Sequence, residues 1–273
     1  MKKNIIYIIF FALIPSIYSC KVNPFTGKNT LNMYQSNDQL YPMAFQEYNK
    51  FLSEHKVITN TKESQLITTV GKKIAIAADK WLKANGYPNY LKDYRWEYNL
   101  VEDKTVNAWC MPGGKIVFYT GILPITQSET GIAVVMGHEI AHALADHGAQ
   151  RMSAGALQQA VAIAGNVALS ENEIKRQKFN AVYGIGSTLG VMLPFSRSHE
   201  TEADKIGLMI MAIAGYNPDE AAKLWMRMKA NNSTHTPEFL STHPSNDTRI
   251  KNLKSWAADA KTEASKFGVS SFK

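Results

Sequence analysis

The chain has 273 residues, 45% of them apolar, and a formal charge of +7 at pH 7; that is enough apolar material for one sizeable core and excludes a disordered polymer. Its lysines are scattered, with no basic stripe interleaved with aromatics, which argues against a nucleic-acid partner. Of its two cysteines, Cys20 and Cys110, only Cys110 remains a thiol if Cys20 is lipidated, and with no internal disulfide the fold must then rest on its core and on any metal it holds.

Lys2 and Lys3 precede an apolar run from Ile5 to Ile14, followed by Pro15 and the ending Ile17-Tyr18-Ser19-Cys20. A charged start, an apolar middle too short to span a bilayer and a small-residue ending make a signal peptide. The ending resembles a bacterial lipobox, so residues 1–19 are expected to be removed and Cys20 to carry lipid. Residues 20–34, rich in Asn, Pro, Gly and Thr, read as a tether, and residues 35–273 as one exported domain.

Helical spacing of apolar residues predicts helices over about 38–55 and 62–83, the second ending before Gly86 and Pro88. Tyr94–Val101 and Ile116–Tyr119 favour strands around the turn Met111-Pro112-Gly113-Gly114, which predicts a small antiparallel sheet. A helix over about 128–149 is apolar nearly all round and belongs in the middle of the core. Met152–Phe195 is Ala- and Gly-rich but has no uninterrupted run of roughly 20 apolar residues, and reads as helices and loops packed over the domain as a cover. Further helices are expected at about 200–214, 218–230 and 246–266. The fold class is α+β, mostly helical.

The chemistry concentrates in His138-Glu139-Ile140-Ala141-His142. In this H-E-x-x-H pattern the two imidazoles lie on one helical face and can hold one zinc, with Glu139 beside the open position as general base. A catalytic zinc needs a third protein ligand. Glu200 is the best candidate, with Asp204 four residues on, placed to accept a hydrogen bond from a ligating imidazole. Cys110 is a rival ligand, but the Met111-Pro112-Gly113-Gly114 turn that follows it favours reading it as a small buried apolar residue. The competing account is a charged first helical turn placed to suit the helix dipole, which fits Glu202 well. His147 and His199 fall off the metal-facing sides of their helices and His55 and His235 have no companions, so surface or structural placement is expected for each; Arg197 and Arg249 could pair with carboxylates near the site or bind a substrate carbonyl, with ordinary ion pairing the better account.

Taken together, Asn107-Ala108-Trp109-Cys110-Met111-Pro112-Gly113-Gly114, His138–His142 and Glu200-Thr201-Glu202-Ala203-Asp204 resemble the HtpX and CAAX prenyl protease family of zinc metallopeptidases, and more narrowly its BepA- and LoiP-like envelope lipoprotein branch. The resemblance implies a zincin-like (gluzincin) fold with a central HExxH helix, ligands His138, His142 and Glu200, base Glu139, and Asp204 behind the ligands. It implies that Asn107, Ala108 and Trp109 lie on an edge strand where an extended substrate pairs, and that His243 approaches the metal as a regulatory or transition-state group. The expected activity is endoproteolysis of misfolded or unassembled envelope proteins, by an enzyme anchored through Cys20 and facing the periplasm, on the outer membrane. The alternative is a chaperone or assembly factor for outer-membrane proteins, linked to their assembly machinery, with a gated zinc site.

Overall fold

The computed structural model describes residues 20–33, 37–188, 192–231, 239–240, 243 and 247–273. The expected signal peptide at 1–19, the last residue of the tether, Tyr34, and His235 lie outside the described residues.

The segment read as a tether is, over its described part, a docked hairpin. Strands β1 (Cys20–Val22) and β2 (Asn29–Leu31) pair antiparallel. Asn23, only 3% exposed, closes the turn between them by accepting at its carbonyl from Gly27 N–H. Phe25 stacks on Trp81 with ring centroids 4.5 Å apart. These partners lie far off in sequence, so local composition gave no sign of them.

Helices α1 (Asn37–Glu54) and α2 (Lys62–Ala84) follow. The start of α2 is set by Thr61, whose hydroxyl accepts from Ser64 N–H while the Ser64 hydroxyl receives Thr61 N–H. The sheet is mixed rather than antiparallel. Strands β3 (Val57–Ile58), β4 (Glu97–Val101), β5 (Ala108–Met111) and β6 (Lys115–Tyr119) lie in the order β3-β4-β6-β5, and β4 pairs parallel with β6. The expected hairpin is real: β5 turns into β6 through Gly113 and Gly114, both at positive φ (82° and 88°). After β4, however, the chain crosses to the far side before that hairpin, so β6 returns beside β4 in the same direction and β5 becomes an edge of the described sheet.

Helix α3 (Glu129–Leu144) is capped by Ser128, which accepts from Gly131 N–H at 3.0 Å, and every residue from Gly131 to Leu144 is buried. It ends earlier than its apolar pattern predicts, because Asp146 adopts a left-handed conformation (φ 55°) and redirects the chain into α4 (His147–Ala168). Helix α6 (Leu193–Ile213) begins two turns before the expected position, so Glu200 lies in mid-helix and the helix-dipole account of its charge fails. Helices α7 (Asp219–Ala230) and α8 (Asp247–Ser265) close the core around Trp225, Leu224 and Leu253.

Residues 152–188 do not lie over the core. Beyond Ser153, α4 buries nothing among the described residues, and neither does α5 (Glu173–Ser187). The two helices pair with each other through polar groups: Asn166 and Asn180 exchange amide hydrogen bonds at 2.9 Å, and the Gln158 amide donates to Ser187 at 2.7 Å. Leu157, Ile163, Val167, Ile174, Val182 and Ile185 are exposed. No described helix is long and apolar enough to cross a membrane.

Helices α3 and α6 cross with backbone against backbone at Gly137 and Gly207. A Cβ on Gly207 would come within 2.8–2.9 Å of the Gly137 carbonyl group and His138 N. Gly207→Ala is therefore expected to cost about 1–3 kcal/mol by overpacking, read as a lower urea midpoint at unchanged slope. An unchanged midpoint would show that the crossing tolerates separation.

Candidate metal centre

The α3–α6 crossing sets the site. His138 and His142, one turn apart on α3, bring their Nε2 atoms to 3.1 Å from each other. Glu200 on α6 faces both, its carboxylate oxygens 3.3 Å from each Nε2. His243 completes the group, its Nδ1 3.1 Å from His138 Nε2 and 2.9 Å from a Glu200 oxygen. All four residues are buried and could hold a metal ion. Donors at about 2.0–2.1 Å from zinc in a tetrahedron lie roughly 3.3 Å apart, so the side chains are spaced as a zinc site requires. Cys110 is not among the converging donors; it packs on β5, where burial pushes its thiol pKa up.

The charges point the same way. Glu139, Glu200 and Asp204 are all at most 7% exposed, and Glu200 and Asp204 share the guanidinium of Arg249. The Glu139 Oε1 atom has no hydrogen-bond partner among the described residues and lies 3.6 Å from His243 Nε2. Burial raises the Glu139 pKa. Burial also disfavours charge on Glu200 and Asp204, but hydrogen bonds from the three imidazoles to Glu200, and Arg249 beside Asp204, overcome it and hold both below the usual carboxylate range. Burial drives His142 well below its ordinary value. For His138 burial acts in the same direction, yet hydrogen bonds to Asp204 and Glu200 carry it up to about 9. The excess negative charge is thus met by a proton on His138, and a dication would replace it.

Asp204, expected to accept from a ligating imidazole, has its Oδ1 3.0 Å from His138 Nδ1, on the side opposite the Nε2 that faces the other donors. Arg249, read as an ordinary ion-pairing residue, is buried on α8. It donates to both Asp204 oxygens at 2.6 and 2.7 Å, and its guanidinium carbon lies 3.4 Å from the Trp225 ring centroid. A sequence signal existed, since Arg249 heads the stripe Leu253, Ala257 and Ala260 on the buried face of α8. His147 and His199 take the structural rather than the surface placement. His147 is fully buried, its Nδ1 2.9 Å from His142 Nδ1, and His199 stacks on it at 4.1 Å. The helix break at Asp146 turns His147 back toward the site, which a continuous helix would not.

Asn107 immediately precedes β5, and Ala108 and Trp109 open it. Tyr119 N–H donates to the Asn107 carbonyl at 3.1 Å, so residues 107, 109 and 111 bond inward to β6 while the main chain of Ala108 and Cys110 faces the outer edge. Ala108 N–H is taken by the Asn107 side chain at 2.9 Å. The Trp109 ring lies on the opposite face from α3, edge-on to Phe51 and Tyr48.

The sequence profile of Peptidase family M48 matches residues 69–257. Mitochondrial metalloendopeptidase OMA1 of Schizosaccharomyces pombe is 37% identical over 175 residues, 63% of this chain and 50% of the relative. Metalloendopeptidase OMA1, mitochondrial, of Homo sapiens is 25% identical over 252 residues, 85% of this chain and 45% of the relative. Beta-barrel assembly-enhancing protease of Escherichia coli is 26% identical over 167 residues, 59% of this chain and 34% of the relative. The chain thus spans half or less of each of these proteins. The expected likeness to the envelope branch is present, but the mitochondrial OMA1 protein of S. pombe matches at higher identity.

Zinc takes neutral imidazoles, so uptake at pH 7 should expel about one proton from His138, falling to none above about pH 10. Apparent zinc affinity should rise with pH up to that range. Titration calorimetry in buffers of different ionisation enthalpy counts the proton; none released at pH 7 would show His138 already neutral.

Proposed function

The chain belongs to peptidase family M48, whose members depend on zinc, and from that premise we propose that it is a zinc metalloendopeptidase in which His138, His142 and Glu200 hold one ion and Glu139 is the general base. The convergence of these donors beside a buried, partner-poor Glu139 carboxylate oxygen carries the reading. When bound, zinc supplies the Lewis acidity that polarises a scissile carbonyl and acidifies a water. Glu139, its pKa raised by burial, takes the proton of the attacking water and passes it to the leaving nitrogen. Asp204 and Arg249 keep His138 oriented throughout. The outer edge of β5, which packs beside α3, offers the Ala108 and Cys110 main chain to an extended substrate, once Asn107 releases Ala108 N–H. Such pairing suits unfolded polypeptides.

We place this activity in the bacterial envelope, on misfolded or unassembled proteins, with Cys20 as lipid anchor holding the chain at the outer membrane and facing the periplasm. Three observations support this. The signal-peptide pattern ends at Cys20; a relative carries the name β-barrel assembly-enhancing protease, which also motivates a link to assembly machinery; and no charged residue occurs in Met152–Ser170, although that stretch is largely exposed. The hairpin's apolar outside and amide-bonded inside suit a lipid-facing surface, and β2 packs at its base, where Met33 N–H donates to Ser153 at 2.9 Å. Cys20→Ser should move the chain from the membrane to the soluble fraction; a variant that still sediments with membranes would refute the anchor.

A second reading, a holding or assembly factor with a gated site, is favoured by the position of His243. It fills the fourth corner, which a catalytic zinc keeps open. Degradation of reduced casein decides. Glu139→Gln should lower cleavage by about 10²–10⁴-fold with zinc content unchanged, and His243→Ala should raise it. Unaltered cleavage by Glu139→Gln would sink the mechanism, and lower cleavage by His243→Ala would make His243 a transition-state group rather than a gate.

A further inference from the structure

Behind His142, on the side away from the metal donors, runs a chain of polar groups that ends in the N-terminal hairpin. His142 Nδ1 meets His147 Nδ1 at 2.9 Å, and His147 Nε2 lies 3.5 Å from Glu202 Oε1. Glu202 Oε1 in turn receives a hydrogen bond from the Asn23 side-chain amide. The stack of His199 on His147, inclined by only 12°, with Phe195 4.1 Å from His199, fixes the His147 ring plane. His199 is itself tied to Gln150 through its Nε2 at 3.2 Å.

The chemistry orders the protons along this chain. If His142 offers Nε2 to a metal, its proton sits on Nδ1, and the only role left for His147 Nδ1 is acceptor. The His147 proton is then on Nε2, which makes no hydrogen bond among the described residues but has the Glu202 carboxylate 3.5 Å away as its acceptor-to-be, a short side-chain adjustment from a hydrogen bond. Each group has a single consistent assignment, running from the amide of Asn23 to the metal face of His142.

We infer that His147, Glu202 and Asn23 are positioning residues that lock the ring and tautomer of His142 for metal binding, so that docking of the N-terminal hairpin is coupled to the zinc site. The inference rests on His142 being a zinc ligand. It pairs with the Asp204–Arg249 arrangement on His138: each helix-borne imidazole has its own buried support, one rooted in α8 and the other in the hairpin at Asn23. Glu202, which the sequence assigns to a solvated helical turn, acquires a role from this geometry.

The test compares two replacements of His147 in the full-length protein. His147→Asn keeps an acceptor near the position of Nδ1 but loses the ring; His147→Phe keeps the ring and its stack on His199 but loses the acceptor. The readout is zinc affinity by competition with a chromophoric chelator, beside thermal melts of the metal-free proteins. A positioning role predicts that Phe weakens zinc binding by about 10–100-fold while Asn stays within a few-fold of wild type. Glu202→Leu, at a part-exposed site, and Asn23→Ala should weaken it several-fold, and they serve if His147→Phe fails to fold. A packing role predicts the reverse order, and His147→Phe binding zinc as tightly as wild type, or Asn as weakly as Phe, would overturn the inference. Wild-type protein that takes up no zinc would overturn the site reading itself, and this inference with it.

Discussion

Three carboxylates enclosed with a single guanidinium, in a volume from which water is largely excluded, are the constraint around which this molecule is arranged. An ionised carboxylate in such surroundings is tolerable only with a cation or several hydrogen bonds. The surrounding elements supply them. Helix α3 brings two imidazoles, α8 brings Arg249 stacked on Trp225, and the segment at His243 brings a third imidazole. With the proton of His138 replaced by a divalent ion, the cluster would approach neutrality. Metal binding and folding of this core are then one equilibrium.

Much of this was legible in the sequence because it is local. The H-E-x-x-H spacing fixes two imidazoles on one face whatever the rest of the fold does, and Glu200 and Asp204 share a face for the same reason. What the sequence hid depends on backbone direction or distant partners. The left-handed Asp146 ends α3 early and turns His147 inward, a change of path that an uninterrupted apolar pattern conceals. Arg249 finds Asp204 45 residues away, and the docking of Asn23 on Glu202 spans 179. The parallel pairing of β4 with β6 was missed because strand composition does not encode the order in which strands return to a sheet.

The α4–α5 hairpin divides polarity in the opposite sense to the core. Its amides meet within, between Asn166 and Asn180, and its branched aliphatic groups point outward. Read as a one-dimensional pattern, the stretch is too polar for a span and too apolar for a surface, and that intermediate character is its physical identity. The core and this appendage therefore divide polarity in opposite senses, joined through the first turns of α4, where His147, Ala149, Gln150 and Ser153 are buried.

At the centre, the spacing between the two helices that carry the converging donors is set by Gly137 and Gly207, neither of which has a side chain. Side chains that interlock can be repacked in many ways, whereas two bare backbones in contact have one distance of closest approach. The bite of the metal site is therefore gauged by an absence of atoms, and a single methyl at the crossing would act as a wedge, spreading His138 from Glu200 without altering any ligand. Comparative searches that score only donor residues would overlook the pair of positions at which this aperture is calibrated.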